Sequence, residues 1–228
     1  MFIRYFVKIK NPFQLPPINF LLPIVYQHII NENAKLAVWK ITEDISFFAE
    51  KTAIITNISH PQKRLQFMAG RYLLNLLAPS LDIHLLTLNN SGKPIDPLGN
   101  IHFSISHSLD FVAVYINTKM PVGIDIQYPE QKLEKLFPKF LSENDRIILS
   151  EMPMSELNQI CFGWSIKESL FKWYGEGQVD FKNNLHILNY KPLANNHHFA
   201  CCFSKDKELL IDVIGILLDD YVLTFTVT

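Results

Sequence analysis

The sequence predicts an α+β fold. Two observations carry that expectation: apolar β-prone runs and helical periodicities occur in both halves of the 228-residue chain, and no long linker separates them. The third is composition. Hydrophobic residues make up 48% and charged residues only 19%, which favours a well-filled core and argues against disorder. The length suits one large domain or two small ones, and the halves divide at roughly 1–118 and 119–228 with no convincing sequence repeat.

The elements follow in order. Residues 1–10 and KLAVWKIT (Lys35–Thr42) pattern as strands, separated by a Pro-rich connection. HPQKRLQFMAGRYLLNLLAP (His60–Pro79) reads as a helix with Pro61 in its first turn and Leu65, Met68, Tyr72 and Leu76 on one face. A strand is expected at Ile83–Leu88, and Asn89–Asn100 is turn chemistry throughout. The runs HFSISH, FVAVYI and PVGIDI, ending at Ile126, read as adjacent strands of one sheet. Ser142, with Asp145 three residues on, starts a helix as its N-cap. Leu157–Tyr174 is a longer helix, and the last quarter is strand-rich.

Bulk properties exclude several roles. A formal net charge of −1 gives no overall pull toward nucleic acid or an anionic membrane. Cys161, Cys201 and Cys202 are a poor disulfide framework and suit a reducing compartment. The N-terminal run is broken by Arg4, Lys8 and Lys10, so it lacks a signal-peptide core. The longest apolar stretch, INFLLPIVYQHII, is too short to span a bilayer. A soluble, cytoplasmic protein is expected.

Chemistry concentrates in three places. In GID (Gly123–Asp125) an Asp near the end of a buried strand is costly unless it is paired, hydrogen-bonded or bound to a metal, although a turn-capping Asp is the blander account. In WSIKESLFKWYG (Trp164–Gly175), Glu168 and Lys172 share a helix face. As an exposed pair they would contribute only about 0.3–0.5 kcal/mol. Brought together, Asp125 and Glu168 would repel by about 4 kcal/mol at roughly 4 Å with an effective dielectric near 20. A divalent cation removes that penalty, and two carboxylates with open positions suit magnesium held partly by substrate phosphates. Lys172 would then meet a phosphate as a point charge. The third place is SISHS with the preceding SGKP: Ser106 and His107 close a strand, and Gly92 and Lys93 lie on a turn with a free cation. All are natural phosphate contacts, set against a satisfied histidine and a solvated loop lysine.

The order GKP, ISHS, GIDI, W-S-x-K-E-S-x-x-K between Gly92 and Lys172 resembles the Sfp-type 4′-phosphopantetheinyl transferases. The resemblance implies two similar α/β halves packed as a pseudo-dimer, hence a monomer, with the active site in the cleft between them. It implies coenzyme A as substrate, magnesium as cofactor and an acyl or peptidyl carrier protein as partner. Carried over by motif, Asp125 and Glu168 are magnesium ligands, with Asp125, Glu168 and Lys172 the catalytic set. Lys172, Gly92, Lys93, Ser106 and His107 become coenzyme A contacts, and Lys51, Arg64 and Arg71 are candidates for its 3′-phosphate. Many members carry Glu two residues after the Asp. Gln127 stands there in this chain and offers a neutral oxygen, so weaker magnesium binding is expected. The implied reaction is attack of a carrier-protein serine on the β-phosphate of coenzyme A, releasing 3′,5′-ADP. Glu168 accepts the serine proton, directly or through a metal-held water, and Lys172 stabilises or protonates the leaving phosphate. Ser165 and Ser169 are helix-surface or packing residues, since the attacking serine belongs to the partner.

Three other readings stay open. A binding module for coenzyme A or a carrier protein could keep the fold without catalysis, and Gln127 leans that way. A magnesium-dependent phosphohydrolase could use the same carboxylates, but no second acid cluster suggests a held water. HHFACC (His197–Cys202) offers zinc-type ligands, yet alternation along a strand sends neighbours to opposite faces. Phe137–Leu141 is either core packing or a carrier docking surface.

Overall fold

The computed structural model describes residues 23–227. The expected strand at 1–10 lies outside the described residues. The elements run β1 (Ile24–Asn31), β2 (Ala34–Lys40), α1 (Ile45–Thr52), α2 (Pro61–Leu77), β3 (Thr87–Leu88), β4 (Pro94–Ile95), β5 (His102–Ser108), β6 (Phe111–Asn117) and β7 (Ile124–Gln127). They continue with α3 (Lys132–Leu136), a 3-10 turn at Phe137–Lys139, α4 (Glu143–Ser150), α5 (Glu156–Tyr174), β8 (Leu185–Pro192), β9 (His197–Ser204), β10 (Glu208–Leu218) and β11 (Tyr221–Val227). The class is mixed α/β, as expected.

Two antiparallel sheets carry the architecture. The first has the order β1-β2-β6-β5 and the second β7-β11-β10-β9-β8. A similar path occurs twice: β2–α2–β5–β6 gives the order β2-β6-β5, and β7–α5–β10–β11 gives β7-β11-β10. Helices α1 and α2 cover one face of the first sheet through Phe48, Met68, Leu73 and Leu74. Helices α4 and α5 cover the second through Leu149, Phe162, Ile166 and Leu170. The remaining faces meet in a third core, where Leu36, Val38 and Tyr115 pack with Ile124, Leu223 and Phe225. Each fully buried Leu or Phe there contributes about 1.5–3 kcal/mol. This inter-sheet layer brings the edge strands β5 and β7 side by side.

The stop and start signals are local. Ser142 Oγ accepts from the Asp145 amide while Asp145 Oδ2 accepts from the Ser142 amide, a complete capping box for α4. Asp44 Oδ1 caps α1 by accepting from the Phe47 amide, a helix that the sequence reading missed. Gly175, at φ 76°, ends α5 in the left-handed conformation. Helix α2 stands where expected, but Leu65, Tyr72 and Leu76 lie at the margin of the core, with Ala69, Leu73 and Leu74 at its centre.

Two expectations are corrected. The strand expected at Ile83–Leu88 shrinks to the two residues of β3, which pair only with β4 inside the turn segment. The run ending at Ile126 is not a neighbour of β5 and β6 in one sheet: β7 pairs with β11, Asp125 opposite Thr224, and so heads the second sheet. The first sheet is closed toward β7 by serine hydroxyls instead of a backbone ladder. Ser104 Oγ accepts from the Ile124 amide at 3.1 Å and Ser108 Oγ from the Tyr128 amide at 3.0 Å.

Helix α5 approaches β7 at one glycine. A Cβ on Gly123 would lie 1.9 Å from the Ser169 carbonyl oxygen and 2.7 Å from the Trp173 amide nitrogen. Only the missing side chain permits that contact. Gly123→Ala should therefore push the helix off the strand and destabilise by about 1–3 kcal/mol, read as a lowered urea midpoint with unchanged slope.

Candidate active site

The site is built on the β5–β7 seam and the last turns of α5. Serines at 104, 106 and 108 share one face of β5 because side chains alternate along a strand. The outer two accept from the backbone amides of Ile124, in β7, and Tyr128, just after it. The middle one, Ser106 Oγ, donates to Asp125 Oδ1 at 2.7 Å. Asp125 is 4% exposed, and its Oδ2 has no hydrogen-bond partner among the described residues. That orphaned buried oxygen is costly as it stands.

Across from it, α5 is fixed on two sides. Ser165 and Ser169, both fully buried, exchange hydrogen bonds with Thr224 of β11, the residue opposite Asp125. They are packing residues. On the other side Lys167 Nζ lies 2.6 Å from Asp145 Oδ2 and donates to the Phe181 carbonyl at 2.8 Å, while Asp145 Oδ1 accepts from the Ile187 amide. This buried ion pair ties α5 to α4 and β8. The adjacent motif residues Lys167 and Glu168 thus point to different tasks: one anchors the helix and the other faces the seam.

Lys172 gathers the site. Its Nζ lies 2.7 Å from Asp125 Oδ1, 2.9 Å from Ser106 Oγ and 3.8 Å from Glu168 Oε2. Asp125, Glu168, Lys172 and Ser106 are therefore brought together from one helix and two strands. Burial pushes the Glu168 carboxyl up to about 7, with the Asp125 charge adding to the rise and Lys172 opposing it. His107 is exposed on the opposite face of β5 from Ser106. The surrounding protein and then the Lys172 ammonium hold its imidazole below the ordinary value, with Lys63 acting in the same direction.

The glycine loop docks on the end of α5. Asn89 Nδ2 and Ser91 Oγ donate to the Gly175 carbonyl at 2.8 and 2.7 Å, and Lys93 Nζ donates to the Lys172 carbonyl. The sequence suggests a free cation at Lys93, and the structure corrects this: its ammonium is committed to the helix C-terminus, where positive charge is favoured. Burial, then the Lys172 charge, lowers its ammonium to about 8. Gly92 supplies the loop's left-handed residue at φ 81°. A cavity of about 250 Å³ beside this loop, lined by Pro94, Ile101, Phe103 and Pro121, adjoins Lys93 and not the acid pair.

The other candidates scatter. Gln127 follows Asp125 on the same strand face, but its amide donates to the Tyr128 carbonyl at 2.9 Å. Arg64 lies near the start of α2 with its Nε buried and without a partner among the described residues. Arg71 is buried with its guanidinium 5.0 Å from the Phe67 ring centre. Lys51 pairs with Glu50 and lies beside Asn75 and His84, toward the opposite end of α2 from Arg64. Lys63, which acts electrostatically on His107, was missed; its signal was the Lys63–Arg64 dipeptide at a helix start. Phe140 and Leu141 are core, and His198 turns to Asp212, away from buried Cys201. Among the described residues no helix is long and apolar enough to cross a membrane.

Among the described residues no group of three or more His, Cys, Asp and Glu side chains gathers as a metal cage. The donor set here is two carboxylates with an unmade bond on Asp125 Oδ2, plus the nearby neutral Gln127. Such a set fits a hard divalent ion that keeps water or substrate oxygens in its shell.

Residues 121–226 match the family model of the 4′-phosphopantetheinyl transferase superfamily, a stretch a little under half of the chain that contains the GIDI and WSIKESLFK motifs of the resemblance. Among curated proteins, the chain is similar to the 4′-phosphopantetheinyl transferase HetI of Nostoc sp. (strain PCC 7120), 30% identical over 131 residues, covering 51% of this chain and 54% of that protein. It is also similar to a Haemophilus influenzae protein named "Putative 4′-phosphopantetheinyl transferase", 31% identical over 111 residues and 47% of each chain. The chain spans about half the length of the curated relatives it matches.

The raised Glu168 carboxyl makes a pH prediction for the metal-free protein. Between its unfolded value near 4.5 and about 7 the folded form binds more protons than the unfolded form, so this group's contribution to stability falls as pH rises through that window. Glu168→Gln should flatten the fall. Relative to wild type it should gain up to about 3 kcal/mol on going from pH 4 to pH 8, checked by urea unfolding in EDTA.

Proposed function

We propose that this protein transfers the 4′-phosphopantetheine of coenzyme A to a serine of an acyl or peptidyl carrier protein, releasing 3′,5′-ADP. The observation that carries the reading is the convergence on Lys172: one ammonium contacts Asp125 and approaches Glu168, two acids from separate motifs, beside an unpartnered carboxylate oxygen. The half-chain match to the superfamily supports it. We further read the halves 1–118 and 119–228 as a pseudo-dimer, supported by the repeated strand–helix–hairpin path, and the protein as a cytoplasmic monomer.

In this reading Asp125 and Glu168 hold magnesium, with Gln127 available as a neutral third ligand. The ion would neutralise charge across the pyrophosphate. The chain's own residues do the rest. Glu168, directly or through a metal-held water, would accept the serine proton. The serine oxygen bonds to the β-phosphorus as the bond to the α-phosphate oxygen breaks, and Lys172 meets the negative charge that develops on the leaving group. His107 lies on the coenzyme's phosphate side, and Ser106 fixes Asp125 by its hydrogen bond. Gly92 and Lys93 shape the loop against the end of α5. Among Lys51, Arg64 and Arg71, the unpartnered Nε of Arg64 favours it for the 3′-phosphate.

The test is incubation with coenzyme A, magnesium and a panel of apo carrier proteins, read by intact mass. Wild type should add one phosphopantetheine per carrier. Glu168→Gln should lose transfer by about 10²-fold or more with its fold intact. Near-normal transfer by that variant removes Glu168 from the mechanism. Coenzyme A binding with no transfer to any carrier would favour the non-catalytic module, toward which Gln127 leans.

A further inference from the structure

We propose that Lys172 is a resident counter-ion of the acid pair, which a divalent cation must displace and which the bound coenzyme draws away. The inference rests on reading Asp125 and Glu168 as cation ligands. The ammonium stands between the two carboxylates that would hold such an ion: Asp125 Oδ1 at 2.7 Å and Glu168 Oε2 at 3.8 Å, with Ser106 Oγ at 2.9 Å accepting from it. A dication held between the two carboxylates would lie within a few ångströms of the ammonium, and like charges that close repel strongly in a half-buried site. Yet the ammonium does not saturate the carboxylate, since Asp125 Oδ2 is left buried and unpaired. The apo site is neutralised but not satisfied.

The displaced lysine has somewhere to go. Lys172 is on the last turn of α5 with a side chain 23% exposed, so its long stem can swing without moving the helix. Around it stand Lys93, committed to the Lys172 carbonyl, and His107, whose imidazole feels both Lys172 and Lys63. A multiply charged phosphate anion entering this basic side gives Lys172 a partner to replace Asp125. Coenzyme binding therefore lowers the cost of vacating the acid pair, and the two ligands bind with positive coupling. By linkage the cation strengthens coenzyme binding by the same factor.

The test uses Mn²⁺ as the probe, its free form counted by electron paramagnetic resonance after EDTA treatment, with coenzyme A alone as the background. Wild type should bind Mn²⁺ weakly without coenzyme. Lys172→Met should bind it about ten-fold more tightly under the same conditions, and Lys172→Arg, which keeps the charge, should not. The gain that coenzyme A adds should be smaller in Lys172→Met than in wild type. Thermal melts check folding, and Lys172→Gln replaces the Met variant if that one fails to fold. Equal Mn²⁺ affinity of wild type and the neutral variants, with wild type still binding in the presence of coenzyme, would overturn the displacement alone. Absence of Mn²⁺ binding in every form would overturn the cation site and this inference together.

Discussion

Everything at the site depends on three hydroxyls at a seam where two sheet edges meet. Edge strands leave amides and carbonyls unpaired, and β5 and β7 are both edges of their sheets. Ser104 and Ser108 satisfy the amides of Ile124 and Tyr128, at the two ends of β7, from the side. The two-residue step from each of them to Ser106 matches the strand period, so the serine between them faces the same way. Ser106 takes the Asp125 carboxylate instead. A buried acid is thus held at a junction made of side-chain bonds, where the backbone ladder stops and a cleft can open.

The other wall is a helix held with little freedom. Glycine at 123 lets α5 lie directly on the strand. The Ser165–Ser169–Thr224 cluster fixes its rotation, and the Lys167–Asp145 pair fixes it against α4 and β8. The glycine loop closes its C-terminus. Positions set by packing of this density move little, which lets Glu168 and Lys172 meet Asp125 from an element that begins about thirty residues further along the chain. Helix α5 has no wide polar face because it is gripped all round, and this explains the serines and the lysine in its interior.

What the sequence disclosed follows the range of the interactions. Helix starts at Pro61 and Ser142 and the stop at Gly175 were readable, because their signals lie within a turn of the event. The strands around Phe103, Val114 and Ile124 were placed, but the partner of β7 was not. Its ladder runs to β11, roughly a hundred residues on, and no local pattern encodes that distance. The Ile83–Leu88 run had strand propensity but only a two-residue neighbour, so tertiary context overrode it. Asp125, Glu168 and Lys172 were legible as a set only through the combination of motifs, since each alone has an ordinary surface explanation. The roles of Lys93 and Lys167 were hidden, because their partners, a carbonyl at a helix end and a distant aspartate, exist only once the chain has folded.

The third core has a bearing on where this protein can be cut. The stretch that matches the superfamily begins at residue 121, yet the apolar surface of Ile124, Leu223 and Phe225 is covered by Leu36, Val38 and Tyr115 from the other half. A fragment starting at residue 121 would show that greasy face to solvent, and Asp125 would lose the Ser106 hydroxyl. The border of the family-model match and the border of a self-sufficient folding unit are therefore different places in this chain.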